Sequence, residues 1–283
     1  MSMISSKIGS LLKFGSSAYM LLIGVSIIIT IVVLSIIAPF ICPYSPTQRV
    51  GPAFSPPSST FILGTNSIGH DVFSRLLHGG RTVLYVAIIS TLMSMSIGIP
   101  LGMISGYIGG WPDRFLAVIM DAIYSFPGII LAIAIAAMLG PGNIFNIAIA
   151  IAVTYIPTYY RMVRGQVLSI KSTPMVEAAI AIGAPVRVIL LEYIFPYVVP
   201  VIVVIFSMNI ADAILTEAGL SYLGFGVTPP TPDWGYDLRS GQPYIVNAWW
   251  ISTFPGLMIT IAVVGFSMLA ESLNELLSPK LRG

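Results

Sequence analysis

Residues 20–37 read MLLIGVSIIITIVVLSII, a run without a single charged side chain. A hydrocarbon layer about 30 Å thick is crossed by roughly 20 apolar helical residues, so a run of this kind has few destinations other than lipid. Six stretches meet the length, at about 18–41, 82–107, 115–139, 143–163, 197–218 and 250–270. Composition agrees: 56% of the chain is apolar and 8% charged, against about 25% charged in soluble domains, and the mean hydropathy is +0.93. A chain so short of charge cannot cover its own surface in water. An all-α, polytopic membrane protein with six transmembrane helices is predicted. The first run is too long for a signal peptide and lacks a small-residue cleavage pattern, so it is read as an uncleaved anchor. The preceding ISSKIGSLLKFG carries Lys7 and Lys13 among apolar residues and reads as an interfacial helix.

Lys and Arg set the orientation. With both termini cytoplasmic, Lys7, Lys13, Arg114, Arg161, Arg164, Lys171, Arg187, Lys280 and Arg282 fall inside, and Arg49, Arg75, Arg81 and Arg239 outside. Arg75 and Arg81 run against the assignment, but the excess favours it. Two outer segments, 42–81 and 219–249, are rich in Pro, Gly, Ser and Thr and read as irregular, water-exposed chain. The one long inner segment runs from about 164 to 196. The chain divides into 1–80 (interfacial helix, first span, outer loop) and a five-helix core over 81–283.

Enzymatic readings fail on absences. No lysine follows a glycine, so the phosphate-cradling G-x-x-x-x-G-K-[ST] loop is missing. There is no H-E-x-x-H or G-x-S-x-G, and two histidines with one cysteine offer no metal cluster. The net charge of +2 gives no reason to expect nucleic acid.

The inner segment KSTPMVEAAIAIGAPVRVILLEYIFPYVVP is the most informative. Thr173 and Pro174 form a helix start, a hydroxyl cap followed by proline at the first helical position. Ala178, Ala179 and Ala181 favour helix, Gly183 suits a left-handed ending, Pro185 opens a second helix and Pro196 stops it. Two short helices about a sharp turn fit either a linker held on headgroups by Lys171 and Arg187 or an element that docks into a soluble partner. Residue types alone leave both open.

Glu177-Ala178-Ala179, three residues, Gly183, and Pro196 thirteen residues beyond it resemble the EAA loop of ABC importer permeases. LGTNSIGHDVFSRLLHGGRTVL (63–84), GYIGGWPDR (106–114) and AILTEAGLSYLGFGVTPPTPDWG (213–235) are similar to segments of its dipeptide/oligopeptide/nickel subfamily, and the extra N-terminal span resembles the second permease of the pair. Matches in order cover most of residues 30–283. Tyr193 and Phe195 stand where the family usually has an aliphatic residue and leucine, a bulkier ending that puts contacts of those side chains in doubt. The resemblance implies a type I ABC importer permease fold in the cell membrane, with Glu177, Ala178, Ala179 and Gly183 coupling to an ATPase. It also implies a homologous second permease, one or two cytoplasmic ATPases carrying ATP and Mg, and an extracytoplasmic binding protein. No cofactor is expected in this chain. Peptide is the default cargo, with nickel or oligosaccharide as alternatives.

Other residues divide between structure and function. Gly98, Gly102, Gly106 and Gly110 recur every four residues, which suits close helix packing more than a gate. Asp121, Asp212 and Glu217 are acids within or near spans and are candidates for a gate or pathway. For Asp121, hydrogen bonding near a Pro127 kink is the structural alternative, and for Glu217 a link to the outer loop. His70, Asp71 and Arg75 read as a solvated or capping cluster at a helix start before a ligand site. A secondary transporter or channel, needing no ATPase, is the rival class. It would spread ionisable residues through the span centres in two symmetric halves, and neither is seen.

Overall fold

A computed structural model of the chain describes residues 16–140 and 142–277. The segment 4–15 and Lys7, Lys13, Lys280 and Arg282 lie outside the described residues. Among the described residues, the regular elements are helical. They are α1 (Ser16–Ile41), α2 (Val72–Ile108), α3 (Gly110–Tyr124), α4 (Gly128–Leu139), α5 (Ile144–Lys171), α6 (Pro174–Ala181), α7 (Val186–Val188), α8 (Phe195–Leu223), α9 (Trp234–Gly241) and α10 (Trp250–Leu277).

Four helices are long and apolar enough to cross a membrane, or five if the bent α3–α4 pair is one span. With 28 residues, α5 is also long enough, but its Tyr, Thr, Pro and Arg residues lower its apolarity. Counting it brings the number to the six expected. The third stretch, expected over 115–139, is not straight: α3 and α4 meet at 89°. Pro127 explains the break, because it has no N–H to continue the ladder and sits extended at φ −55°, ψ 123°.

Helix ends are set by local chemistry. Asp71 caps α2, its carboxylate accepting from Ser74 N–H at 2.8 Å. Asn143 caps α5 by accepting from Phe145 N–H at 2.8 Å. Lys171 donates to Tyr107 O at the last turn of α2 and lies over the Tyr107 ring, so its ammonium is used within the fold and not as a headgroup anchor. Pro196 does not stop a helix. A π-helical segment, Ile189–Ile194, carries the chain from α7 into α8 as one 38-residue rod. The wider turn accommodates the missing proline N–H.

Packing order follows from a register legible in the glycines. A Cβ at Gly98 would lie 2.6 Å from Tyr159 Cβ, one at Gly102 2.7 Å from Tyr160 O, and one at Gly106 3.0 Å from Val167 Cβ. Contacts that advance four residues on both helices mean that α2 and α5 run parallel with their backbones in near contact. Gly110 does not continue the stripe, because α2 ends at Ile108. Antiparallel packing joins α1 to α10: Gly24 faces Gly265, and Ser17 Oγ donates to Glu275. The described ends of the chain therefore lie at one end of the bundle, together with the 172–185 loop.

Leucine at Gly98 or Gly102 is expected to force the α2–α5 pair apart, since the obstacles include backbone oxygens that cannot rotate away. Overpacking costs about 1–3 kcal/mol or more, so yield and thermal midpoint in detergent should both drop. Gly165→Ala is the control: it is helical and exposed, with nothing within 4 Å of its Cβ position. It should be neutral or stabilising by up to about 1 kcal/mol.

The opposite end is more ordered than its composition suggests. Residues 219–249 contain α9, whose Trp234 is buried and donates its indole N–H to Leu76 O at 2.7 Å. Trp250 reaches Thr65 O at 3.0 Å. Of the two readings of the His70, Asp71 and Arg75 cluster, solvated or capping, the structure shows capping by Asp71, with all three residues buried. Arg75 binds Asp237 from Nη2 at 2.8 Å and Nε at 3.0 Å, and donates to the carbonyls of Pro46 and Pro230. Burial holds His70 below its ordinary value, with Arg75 adding to the effect. Burial also pushes the Asp237 carboxyl up, even though Arg75 pulls it down.

Candidate functional site

The 172–185 loop projects from the end where α2 and α5 finish. Thr173 occupies the cap position, but its hydroxyl donates backward to Ile170 O at 2.7 Å instead of capping α6. Val176 and Ala179 face inward, against a cluster containing Val163, Val167, Ile189 and Ile194. Glu177 and Ala178 face outward. The helix closes in a Schellman turn: Gly183 N–H donates to Ile180 O and Ala184 N–H to Ala179 O, both at 3.0 Å. Gly183 sits at φ +79°, with nothing within 4 Å of its Cβ position. Side chains at the tip are apolar and open, Ile182 at 81% exposure and Ile180 and Val186 near half. A rigid turn presenting bare aliphatic surface has the makings of a docking knob.

Between α3–α4, α5 and α8 lies a cavity of about 620 Å³. The 89° bend makes it, since Tyr124, Phe126 and Gly128 on either side of the break form one wall. Asp212 is its one charged lining residue, and among the described residues no side chain donates to its carboxylate. Tyr155 OH and Thr216 Oγ1 pair at 3.1 Å across the same wall. Asn209 lines the cavity, and its amide Nδ2, like the Tyr159 hydroxyl, is buried without a hydrogen-bond partner among the described residues.

Asp121 does not line this space. It receives Arg161 Nη2 at 2.6 Å, in a pair that stays largely exposed, and the same guanidinium lies 4.1 Å over the Tyr124 ring. Nearer the loop, Asp113 is held by Arg164, with Nε–Oδ1 and Nη2–Oδ2 both 2.6 Å, and by the Ser105 hydroxyl. Glu217 is away from both sites: it is fully buried, accepts from Ser221 Oγ at 2.9 Å and faces Asp233.

Arg161, Arg164, Asp113, Asp233 and Asp237 carry these arrangements, and the sequence reading gave them no site role. A signal existed for the first three. Two acids eight residues apart in one apolar stretch and two arginines three apart in the following one suit antiparallel pairing, and α3 and α5 pair them so.

The family model described as binding-protein-dependent transport system inner membrane component matches residues 98–283. The glutathione transport system permease protein GsiD of Pectobacterium atrosepticum is 43% identical over 80% of this chain and 75% of its own. The Escherichia coli GsiD is 38% identical over 90% and 85%. The di/tripeptide transport system permease protein DppC of Pseudomonas aeruginosa is 35% identical over 92% and 88%. In fold, the chain is similar to a chain of the MetNI methionine ABC transporter in inward-facing conformations. That match has a TM-score of 0.60 at 19% identity, covering 72% of this chain and 96% of the other.

Proposed function

The chain belongs to the family of inner membrane components of binding-protein-dependent transport systems, and from that premise we propose that it forms half of the path by which an ATP-driven importer carries small peptides. Relatives named for glutathione and for di- and tripeptides support this cargo class. So does the cavity, whose about 620 Å³ lies within the usual range of small-molecule sites. Its single uncompensated carboxylate, Asp212, suits the ammonium end of such a cargo or a cation supplied by a second permease. Asp121 and Arg161 stand beside the cavity wall at Tyr124, where a gating pair would act.

The observation that carries the coupling role is the 173–186 tip: a hydrogen-bonded Gly183 turn, buttressed from below and bare on top. Glu177 and Ala178 flank that bare surface, and a cytoplasmic ATPase would close over them. ATP and Mg would then be held by that partner, with no cofactor on this chain. Orientation with the tip and both termini in the cytoplasm agrees with the Lys/Arg excess. The two dissenting arginines are occupied, Arg75 with Asp237 and Arg81 with the carbonyls of Ser35 and Ile36 at the end of α1.

Reconstitution with and without ATPase subunits tests the reading: peptide flux in vesicles lacking any ATPase would sink it. Asp212→Asn is expected to lower peptide import about tenfold, the value of one charge-assisted contact of about 1.4 kcal/mol or more. ATP hydrolysis stimulated by loaded binding protein should change less than twofold. Unchanged import in this variant would remove Asp212 from the path.

A further inference from the structure

Glu217 and Asp233 are buried to 0% exposure on different elements, the outer half of α8 and the cap of α9. Each carboxyl has one oxygen accounted for. Ser221 Oγ donates to Glu217 Oε1 at 2.9 Å, and Tyr236 N–H donates to Asp233 Oδ1 at 2.8 Å. The other two oxygens, Glu217 Oε2 and Asp233 Oδ2, are buried without a donor. The two elements are in direct contact beside them, since a Cβ at Gly235 would lie 2.4 Å from Ala218 O and 2.8 Å from Ser221 Cβ, and this packing sets the two carboxyls against each other. Carboxylates only accept hydrogen bonds, so such a pair needs something between them.

The neighbouring cation does not supply it. Of the elements around the pair, α2 brings Arg75, α8 brings Ser221, and α9 brings Asp237 and Arg239, whose guanidinium lies against Gly224 and donates to neither carboxyl. Arg75 is committed to Asp237 and to the carbonyls of Pro46 and Pro230. Two buried carboxylates side by side cannot both stay ionised, and an uncompensated buried charge is among the costliest defects a fold can carry.

We propose that Glu217 and Asp233 form a proton-holding site, with one proton shared between Glu217 Oε2 and Asp233 Oδ2 that ties the 224–241 segment to α8. The proton turns one carboxyl into a donor for the other and leaves a single delocalised negative charge. Ser221 extends the tie, because it also accepts from Val227 N–H at 3.3 Å. The tie lasts only while the shared proton is held, so it weakens as pH rises.

The test uses the full chain, purified in detergent with the subunits it assembles with. Infrared spectra at pH 7.5 should show a protonated-carboxyl C=O band that shifts in D2O and is lost in Glu217→Gln. The wild-type unfolding midpoint should fall by several degrees as pH rises from about 5 to about 9. Glu217→Gln, whose amide donates permanently to Asp233, should flatten that fall. If Glu217→Gln does not fold, Asp233→Asn carries the same two readings, since its amide oxygen can still cap α9. A band that persists in the variant, or pH profiles that superimpose, would overturn the proposal. So would a wild-type midpoint raised by Na+ or Ca2+ but unaffected by pH, which would place a metal cation between the two groups.

Discussion

Arg75→Ala is expected to destabilise the outer end of the protein by about 3–5 kcal/mol, the cost of stranding one member of a buried ion pair. The side chains of Arg75 and Asp237 are 4% and 9% exposed, so solvent cannot take over the lost contacts. The guanidinium also donates to Pro46 O and Pro230 O, so its removal strands two carbonyls from different outer segments as well. Unfolding in detergent should shift by many degrees, and limited proteolysis should open residues 42–71 and 224–249 first. Removing both charges in Arg75→Met with Asp237→Leu should recover part of the loss, because no bare carboxylate remains. It should not recover all, since the carbonyls stay unpaired. A single variant as stable as wild type would show that the pair contributes nothing.

Gly183→Val carries the second large effect, on coupling more than on stability. The φ of +79° costs a β-branched residue about 1–2 kcal/mol, yet no atom lies within 4 Å of the new Cβ. The protein should therefore fold, with its tip re-aimed and bulkier. Driving a two-state transporter from 1:99 to 99:1 takes about 5.5 kcal/mol of differential binding, and a misdirected contact cannot transmit it. Peptide import and cargo-stimulated hydrolysis should fall at least about tenfold, and the ATPase should co-purify poorly. Gly183→Asn separates the causes, because asparagine tolerates the left-handed region but adds bulk. Loss in both variants points to contact, and loss in valine alone points to turn geometry. Survival of association and stimulated hydrolysis in both would remove this loop from the coupling path.

Much of the fold was legible because lipid imposes a single strong rule. Apolar runs of 20 or more residues become helices, and a short Gly/Pro connection between two such runs predicts antiparallel neighbours. The Gly98-Gly102-Gly106 stripe announced close packing, and the structure shows its partner to be α5. The Glu177–Gly183 turn was readable in detail, since Gly183, the alanines and Pro174 each have few alternative uses. Two local expectations failed because a competing bond was available. Thr173 turned its hydroxyl back to Ile170, and Pro196 lies in the first turn of α8, just after a π-helical segment, instead of ending a helix.

The acids were the harder case. Asp121, Asp212 and Glu217 look alike in sequence, each an ionisable group in an apolar setting, and their environments separate them. Asp121 meets Arg161, Asp212 faces a cavity, and Glu217 meets a second acid 16 residues along the chain. The arginines of α5 foreshadowed the partner of Asp121, but what Asp212 and Glu217 face depends on how packing rotates α8 about its axis, which no local pattern encodes.

By itself, the sequence determined the solvent, the class of element and the shape of the coupling turn, because these depend on residue type within one or two helical turns. The tertiary structure decided which polar groups are buried and what they face. The 89° bend at Pro127 opens the cavity, α5 and α8 supply its other walls, and Trp234 and Arg75 tie the outer segments to α2. Burial of a charge is a property of its surroundings, and those surroundings are assembled from segments far apart in the chain.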